Sequence, residues 1–214
     1  MSGHAIHLGK TPTLVGRSAF MARKIGRLIS LPKVWSQLKA DGANVAVEFA
    51  LALPVLLTMF LASAELGRYV LLHQKVDRVA VTISDLVSRA ETISETELDD
   101  IFSAAGQVAE PFDLGNLGLV VVSSVINVDG NGETIAWQRS GGGALSASSH
   151  VGIEGGSATL PDDFEVREGE TAIISEVFFD FEPFLSELIV APQMLYRRAH
   201  HRPRLGTLDT IDQG

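Results

Sequence analysis

The 214-residue chain has no cysteine, which excludes disulfides, thiolate metal sites and cysteine nucleophiles but leaves the compartment open. It also lacks the marks of common chemistries. No Gly-x-Ser-x-Gly elbow occurs. The run Gly141-Gly-Gly143 stands without the Lys and Ser/Thr of a phosphate-binding loop. The histidines, His4, His7, His73, His150, His200 and His201, have no metal-ligand spacing with carboxylates. Together these absences argue against an enzyme, and no cofactor or metal is expected. A net charge of −9 provides no overall basic field to displace phosphate counterions, so nucleic acid is not an expected partner either.

Charge of one sign is missing region by region. Residues 1–41 hold Lys10, Arg17, Arg23, Lys24, Arg27, Lys33 and Lys39 against one acid, Asp41, for a net of +6. The remaining residues hold ten basic and 25 acidic groups, for a net of −15. Such a step points to a membrane, a targeting segment or a nucleic-acid arm. At the step lies an apolar run from Ala43 to Ala64 whose one charge is Glu48. It accounts for much of the positive mean hydropathy of +0.22. A bilayer core of roughly 30 Å needs about 20 helical residues, so the run is long enough for one span. The positive-inside rule then puts the basic segment in the cytoplasm and the acidic remainder outside. Arg68 and Tyr69 stand where an interfacial anchor is expected.

Other readings of the run stay open. Ala62-Ser63-Ala64 has the small-residue pattern of a secretory cleavage site, although 64 residues far exceed the usual ~15–30 of a signal peptide. A mitochondrial presequence would share the lack of acids before Asp41 but needs a sustained Arg/Ser-rich amphipathic pattern. A buried soluble helix would leave the charge step unexplained. Within the run, Glu48 is costly in hydrocarbon and is a functional candidate, with an interfacial position as the plainer reading. Pro54 removes a helical hydrogen bond, which predicts a kink or a locally melted turn.

The stretch Gly42-Ala-Asn-Val-Ala-Val-Glu48-Phe-Ala-Leu-Ala-Leu-Pro54, followed by Glu65-Leu-Gly-Arg68, resembles the TadE/TadG-like family of tight-adherence (Tad) pilus assembly proteins. The resemblance spans roughly residues 41–72, about a seventh of the chain. It implies a single-pass bacterial inner-membrane protein, N-terminus cytoplasmic and C-terminal domain periplasmic, serving as a structural or accessory subunit of a Tad-type (type IV-like) adhesion pilus. The implied partners are the inner membrane, other pilus or pseudopilin subunits and the assembly machinery, with prepilin peptidase as a processing enzyme. Gly42 and Ala43 are the implied processing positions. A cut after Gly42 makes Glu48 the sixth mature residue, whereas a cut after Ala43 makes it the fifth, its usual place in pilins. Glu48, Pro54, Glu65 and Arg68 are the residues through which helix register and assembly would be set. A membrane-tethered binding or sensory domain, or a domain secreted after cleavage at Ala64, remains the alternative.

Past the span, Leu72, Val76, Val79, Ala80, Ile83, Leu86, Val87 and Ala90 recur at helical steps, predicting an amphipathic stem that packs on the chain's own sheet. Ser94-Glu-Thr-Glu97 reads as a capping box opening a second helix with Leu98, Ile101, Phe102, Ala105 and Val108 on one face. Its acids, Glu95, Glu97, Asp99 and Asp100, suit the helix N-terminus. Leu117–Val128, a turn at 129–132 and Glu133–Arg139 predict a hairpin, with Trp137 packing on it or on the stem. Residues 140–159, rich in Ser, Gly and Ala, read as a mobile loop. Glu170–Phe181 is a third strand with Val177, Phe179 and Phe181 on one face and Glu176, Phe178 and Asp180 on the other. That acidic–aromatic face is a candidate partner surface. The apolar stretch 184–190 reads as a short helix or strand.

The expected architecture is therefore α+β and pilin-like: a basic leader at 1–42, a transmembrane helix at 43–72, a periplasmic domain with a small antiparallel sheet at 73–196, and a basic, disordered tail at 197–214.

Overall fold

The computed structural model describes residues 41–214 apart from 129, 131, 162–163, 185–188 and 213–214. The basic leader before Asp41, parts of the 129–132 turn and most of the 184–190 stretch thus lie outside the described residues. The chain divides inside its first helix into two units, one ending at Leu57 and the other running from Thr58 to Gly214.

The first described element is α1, Asp41–Ser88, a helix of 48 residues that stays α-helical through Pro54. No melted turn occurs there. Then follow α2 (Glu95–Ala109), the single-turn α3 (Leu114–Leu117), β1 (Gly118–Ile126), β2 (Thr134–Gly141), β3 (Thr171–Phe181) and β4 (Gln193–His201). The α+β class expected from the sequence is the one found. Among the described residues the strands form one antiparallel sheet in the order β2-β1-β3-β4.

Local chemistry sets the element boundaries. Ser94 takes the extended backbone of an N-cap, the Glu97 N–H donates to its Oγ, and the Glu97 carboxylate accepts the Ser94 N–H at 2.9 Å. This reciprocal box starts α2, and Pro111, which cannot donate to a helical ladder, follows its end. The hairpin β1–β2 pairs Ser124 with Trp137 but Val125 with Ile135, so Ala136 is an extra residue on β2. That bulge keeps the side chains of Trp137 and Ile135 on opposite faces of the sheet.

The two faces are covered differently. On one lie the stem residues Leu72, Val76, Val79, Ala80, Ile83 and Val87 of α1, with Leu98, Phe102 and Ala105 of α2. They pack on Val120, Val122, Trp137, Ile173, Val177, Phe179 and Phe181, the inward set of an alternating pattern. The predicted stem stripe is thus the core, except that Leu86 stays exposed. On the other face Val125, Ile135, Ala172 and Ile174 pack against Val151 and Val166, and Leu119, Val121 and Phe178 pack against Leu145, Ala147 and Tyr196. The long Ser/Gly/Ala connection therefore works as a cover.

Within the second unit, α1 runs alongside β4 in the same direction. The Tyr69 hydroxyl accepts from Gln193 Nε2 at 2.7 Å, and the Tyr69 and Phe181 ring centroids are 5.1 Å apart. Fifteen residues later, Ser84 Oγ and His201 Nδ1 are 2.7 Å apart. That is about 22 Å of helix against about 26 Å of strand, lengths compatible with near-parallel packing.

The terminal segment corrects the expected disordered tail. Arg197 and Arg198 belong to β4, whose pairing to β3 places them opposite Val177 and Glu176. Beyond β4, the Arg204 N–H donates to the Ser88 carbonyl and Asp212 N–H to the Ile93 carbonyl. Leu208 is buried, and its carbonyl accepts both Ser124 Oγ–H and Trp137 Nε1–H at 2.8 Å. The segment is ordered because it supplies polar partners and apolar area to an otherwise unfinished core.

Candidate functional site

From Asn44 to Phe60 every described side chain of α1 is exposed. The larger apolar ones range from Leu53, 47% exposed, to Leu51, 72%. A helix apolar all round, with no cover from the described residues, calls for an apolar surrounding: lipid, other helices or both. Asn44–Ser88 is long and apolar enough to cross a membrane. Glu48 is exposed one turn inside that stretch. Gly42 and Ala43 stand in the first turn of α1.

Glu65 and Arg68 sit just past the apolar run and do quite different work from Glu48. The Glu65 side chain is 1% exposed, and its Oε1 lies 3.4 Å from Arg68 Nη1 and accepts the Phe184 N–H at 3.2 Å. Arg68 is 39% exposed; it donates to the Glu182 carbonyl at 3.1 Å and lies over the rings of Phe112 and Phe181. The pair therefore ties the start of the stem to the chain leaving β3. A buried carboxylate left without its donors would be strongly destabilising, which gives this i,i+3 pair a structural role. Sequence reading grouped it with Glu48 and Pro54 because the partner residues lie more than a hundred positions away.

The proposed partner surface at Glu176, Phe178 and Asp180 needs correction. Glu176 and Phe178 are buried, and Asp180 is half-buried. Glu176 Oε1 accepts the His150 N–H at 2.8 Å and the Tyr196 hydroxyl at 2.9 Å, while Ser149 Oγ donates to Oε2. The His150 ring packs against both Phe178 and Tyr196. Burial and the adjacent Glu176 carboxylate push the Tyr196 hydroxyl above its ordinary pKa, keeping it a donor. This face is thus a clamp holding the 143–151 cover on the sheet. No local signal could have revealed it, since the donors come from a Ser/Gly/Ala stretch without periodicity.

A cleft of about 510 Å³ opens between α2 and the end of β2, lined by Asp99, Phe102, Ser103, Gly106, Gly115, Gly141 and Gly142. Its lining brings no acid–base pair together. Among the described residues, no three His, Cys, Asp or Glu side chains are grouped to hold a metal ion.

Residues 44–82 match the family model described as TadE-like protein. The matched range includes Glu48, Pro54, Glu65 and Arg68 and begins just after Gly42 and Ala43. No curated protein and no solved structure matches the chain.

Proposed function

We propose that this chain is a structural or accessory subunit for biogenesis of a Tad-type adhesion pilus, anchored by one pass through the bacterial inner membrane. The observation that carries the reading is a coincidence of two boundaries: the TadE-like match at 44–82 falls on the uncovered apolar helix and the stem that continues it. The seven basic residues and single acid of positions 1–41 favour a cytoplasmic N-terminus, with the domain on the periplasmic side. In this arrangement the 43–72 segment associates with the helices of other pilus or pseudopilin subunits. Glu48 sets their register, because a misaligned neighbour would leave its charge unpaired in hydrocarbon.

Deleting the gene should abolish or sharply reduce surface pili and adhesion; unchanged piliation would sink the proposal. Glu48→Gln should lower pilus number while the protein remains in the membrane at its normal level. N-terminal sequencing of the mature chain decides processing. A start at Ala43 or Asn44 is the expected mark of prepilin peptidase, and an intact Met1 marks an uncut subunit. A start at Glu65 means release, and with it the end of the anchored reading.

A further inference from the structure

The charges beyond position 41 are segregated along the chain. Residues 193–204 hold four arginines and no acid, whereas residues 91–113 hold seven acids and no Lys or Arg. The fold sends these two stretches to opposite flanks of the sheet. β4 is one edge strand, with α1 alongside it. β2 is the other edge strand, and α2 lies there: Glu95 pairs with Arg139 of β2 at 2.8 Å, and a Cβ at Gly141 would come within 2.5 Å of the Phe102 ring.

Only part of this charge is used within the domain. Arg202 and Arg204 pair with Glu170 and Asp85. Arg197 and Arg198 are half-buried on the edge strand, and neither pairs with a carboxylate among the described residues; Arg197 donates to the Tyr196 carbonyl at 2.8 Å. On the far flank, Asp99 and Asp100 are exposed in the second turn of α2, and neither side chain meets a cation among the described residues. Asp99 is also the one ionisable residue lining the cleft of about 510 Å³ between α2 and β2, whose glycine walls leave room for a long side chain. A guanidinium half-withdrawn from water gains most from a carboxylate brought against it. Resting on the pilus-subunit reading above, we propose that the β4 edge docks on the α2 flank of a second copy of this chain, with Arg197 and Arg198 facing Asp99 and Asp100.

The contact is heterologous: one flank meets the opposite flank, so each copy keeps an unused edge of either sign and addition continues. Two β4 edges, both basic, would repel, which disfavours a two-fold pair through that strand. Levels along α1 decide whether the series closes. Gln193 meets Tyr69 and His201 meets Ser84, so Arg197, midway along β4, stands level with the middle of that helical stretch. α2 runs back along α1, with the Val108 carbonyl at Lys75 Nζ, which puts Asp99 about level with Ser84. Matching the two shifts each copy by about seven residues, about 10 Å, along α1. A contact that climbs in this way builds an open helical array instead of a ring.

Charge exchange on the full chain, expressed in place of the wild type, is the test. Asp99→Lys with Asp100→Lys makes both edges basic and should cut surface pili, counted by electron microscopy, by about tenfold, because like charges then meet across the contact. Arg197→Glu with Arg198→Glu should do the same from the other side. All four substitutions in one chain reverse both edges and should return the count to within about twofold of wild type. Arg198 stands opposite buried Glu176, so a glutamate there can disturb the domain itself. For that reason Arg197→Gln with Arg198→Gln is run beside it, and the unfolding midpoint of each solubilised chain is measured. The glutamine pair should lower the count at an unchanged midpoint; a normal count overturns the contact. Loss in both charge-reversed variants at normal midpoints, without recovery in the combined chain, overturns it as well. Normal piliation of the Asp99–Asp100 variant does so too but leaves the pilus-subunit reading standing, provided that gene deletion removes the pili. Unchanged piliation on deletion removes both.

Discussion

Between Asn44 and Phe60, α1 carries apolar side chains on every side and all are exposed; between Glu65 and Ser88 they recur every three or four residues and the recurring set, Leu86 apart, is buried. The backbone is helical throughout. What differs is the solvent each stretch was composed for. A stripe is satisfied by one sheet face, which covers roughly a third of a helix, and the rest of the surface can stay polar. Unbroken apolarity has no such geometry, and none of the described residues covers it. The boundary between the two is marked by a buried acid, Glu65, which accepts from Arg68 one turn further along α1 and from the Phe184 N–H after β3.

Substitutions can break that contrast from either side. The largest effect is expected for Ile83→Ala in the stem, where the side chain is fully buried between sheet and helix. It should cost about 2–5 kcal/mol in denaturant unfolding of the detergent-solubilised chain, with membrane insertion unchanged. A loss well under 1 kcal/mol would mean that the stem does not depend on the sheet. Leu57→Arg asks the reverse question. An arginine near the centre of the span should disfavour insertion by about 3 kcal/mol, read as the inserted fraction in membrane vesicles, while the domain's unfolding midpoint stays put. Equal insertion of variant and wild type would show that the stretch does not meet lipid. Ser94→Ala removes the cap of α2 and should lower domain stability by about 1 kcal/mol without touching insertion. The smallest change is expected at Val81, an exposed position opposite the stem stripe. Val81→Lys should alter unfolding by less than about 0.5 kcal/mol, because the charge enters water instead of hydrocarbon. A large loss there would reveal a cover on the outer stem.

The parts of this molecule legible in its sequence are those written in local periodicity. The span, the stem stripe, the Ser94–Glu97 box, the hairpin and β3 each announce themselves within a dozen residues. β4 did not, because an edge strand needs alternation on only part of its length: Leu195 and Ala199 are buried, whereas Arg197, Arg198, His200 and His201 resemble a loose basic terminus. The clamp around Glu176 was hidden for another reason. A buried carboxylate looks like a solvated one until the chain brings Ser149, His150 and Tyr196 to it. Glu65 and Arg68 sit at the same limit: their positions were recognisable, but their role depends on Glu182 and Phe184.

The carbonyl of Leu208 imposes an order on events. It is the shared acceptor for Ser124 and Trp137, which precede it by 84 and 71 residues. While the chain is emerging, the hydroxyl and the indole have no such partner, and β3 still lacks its outer neighbour. The packing around Ser124 and Trp137 is therefore complete only when the distant 208 segment has joined it. Late closure of this kind costs folding speed, as long-range contacts do.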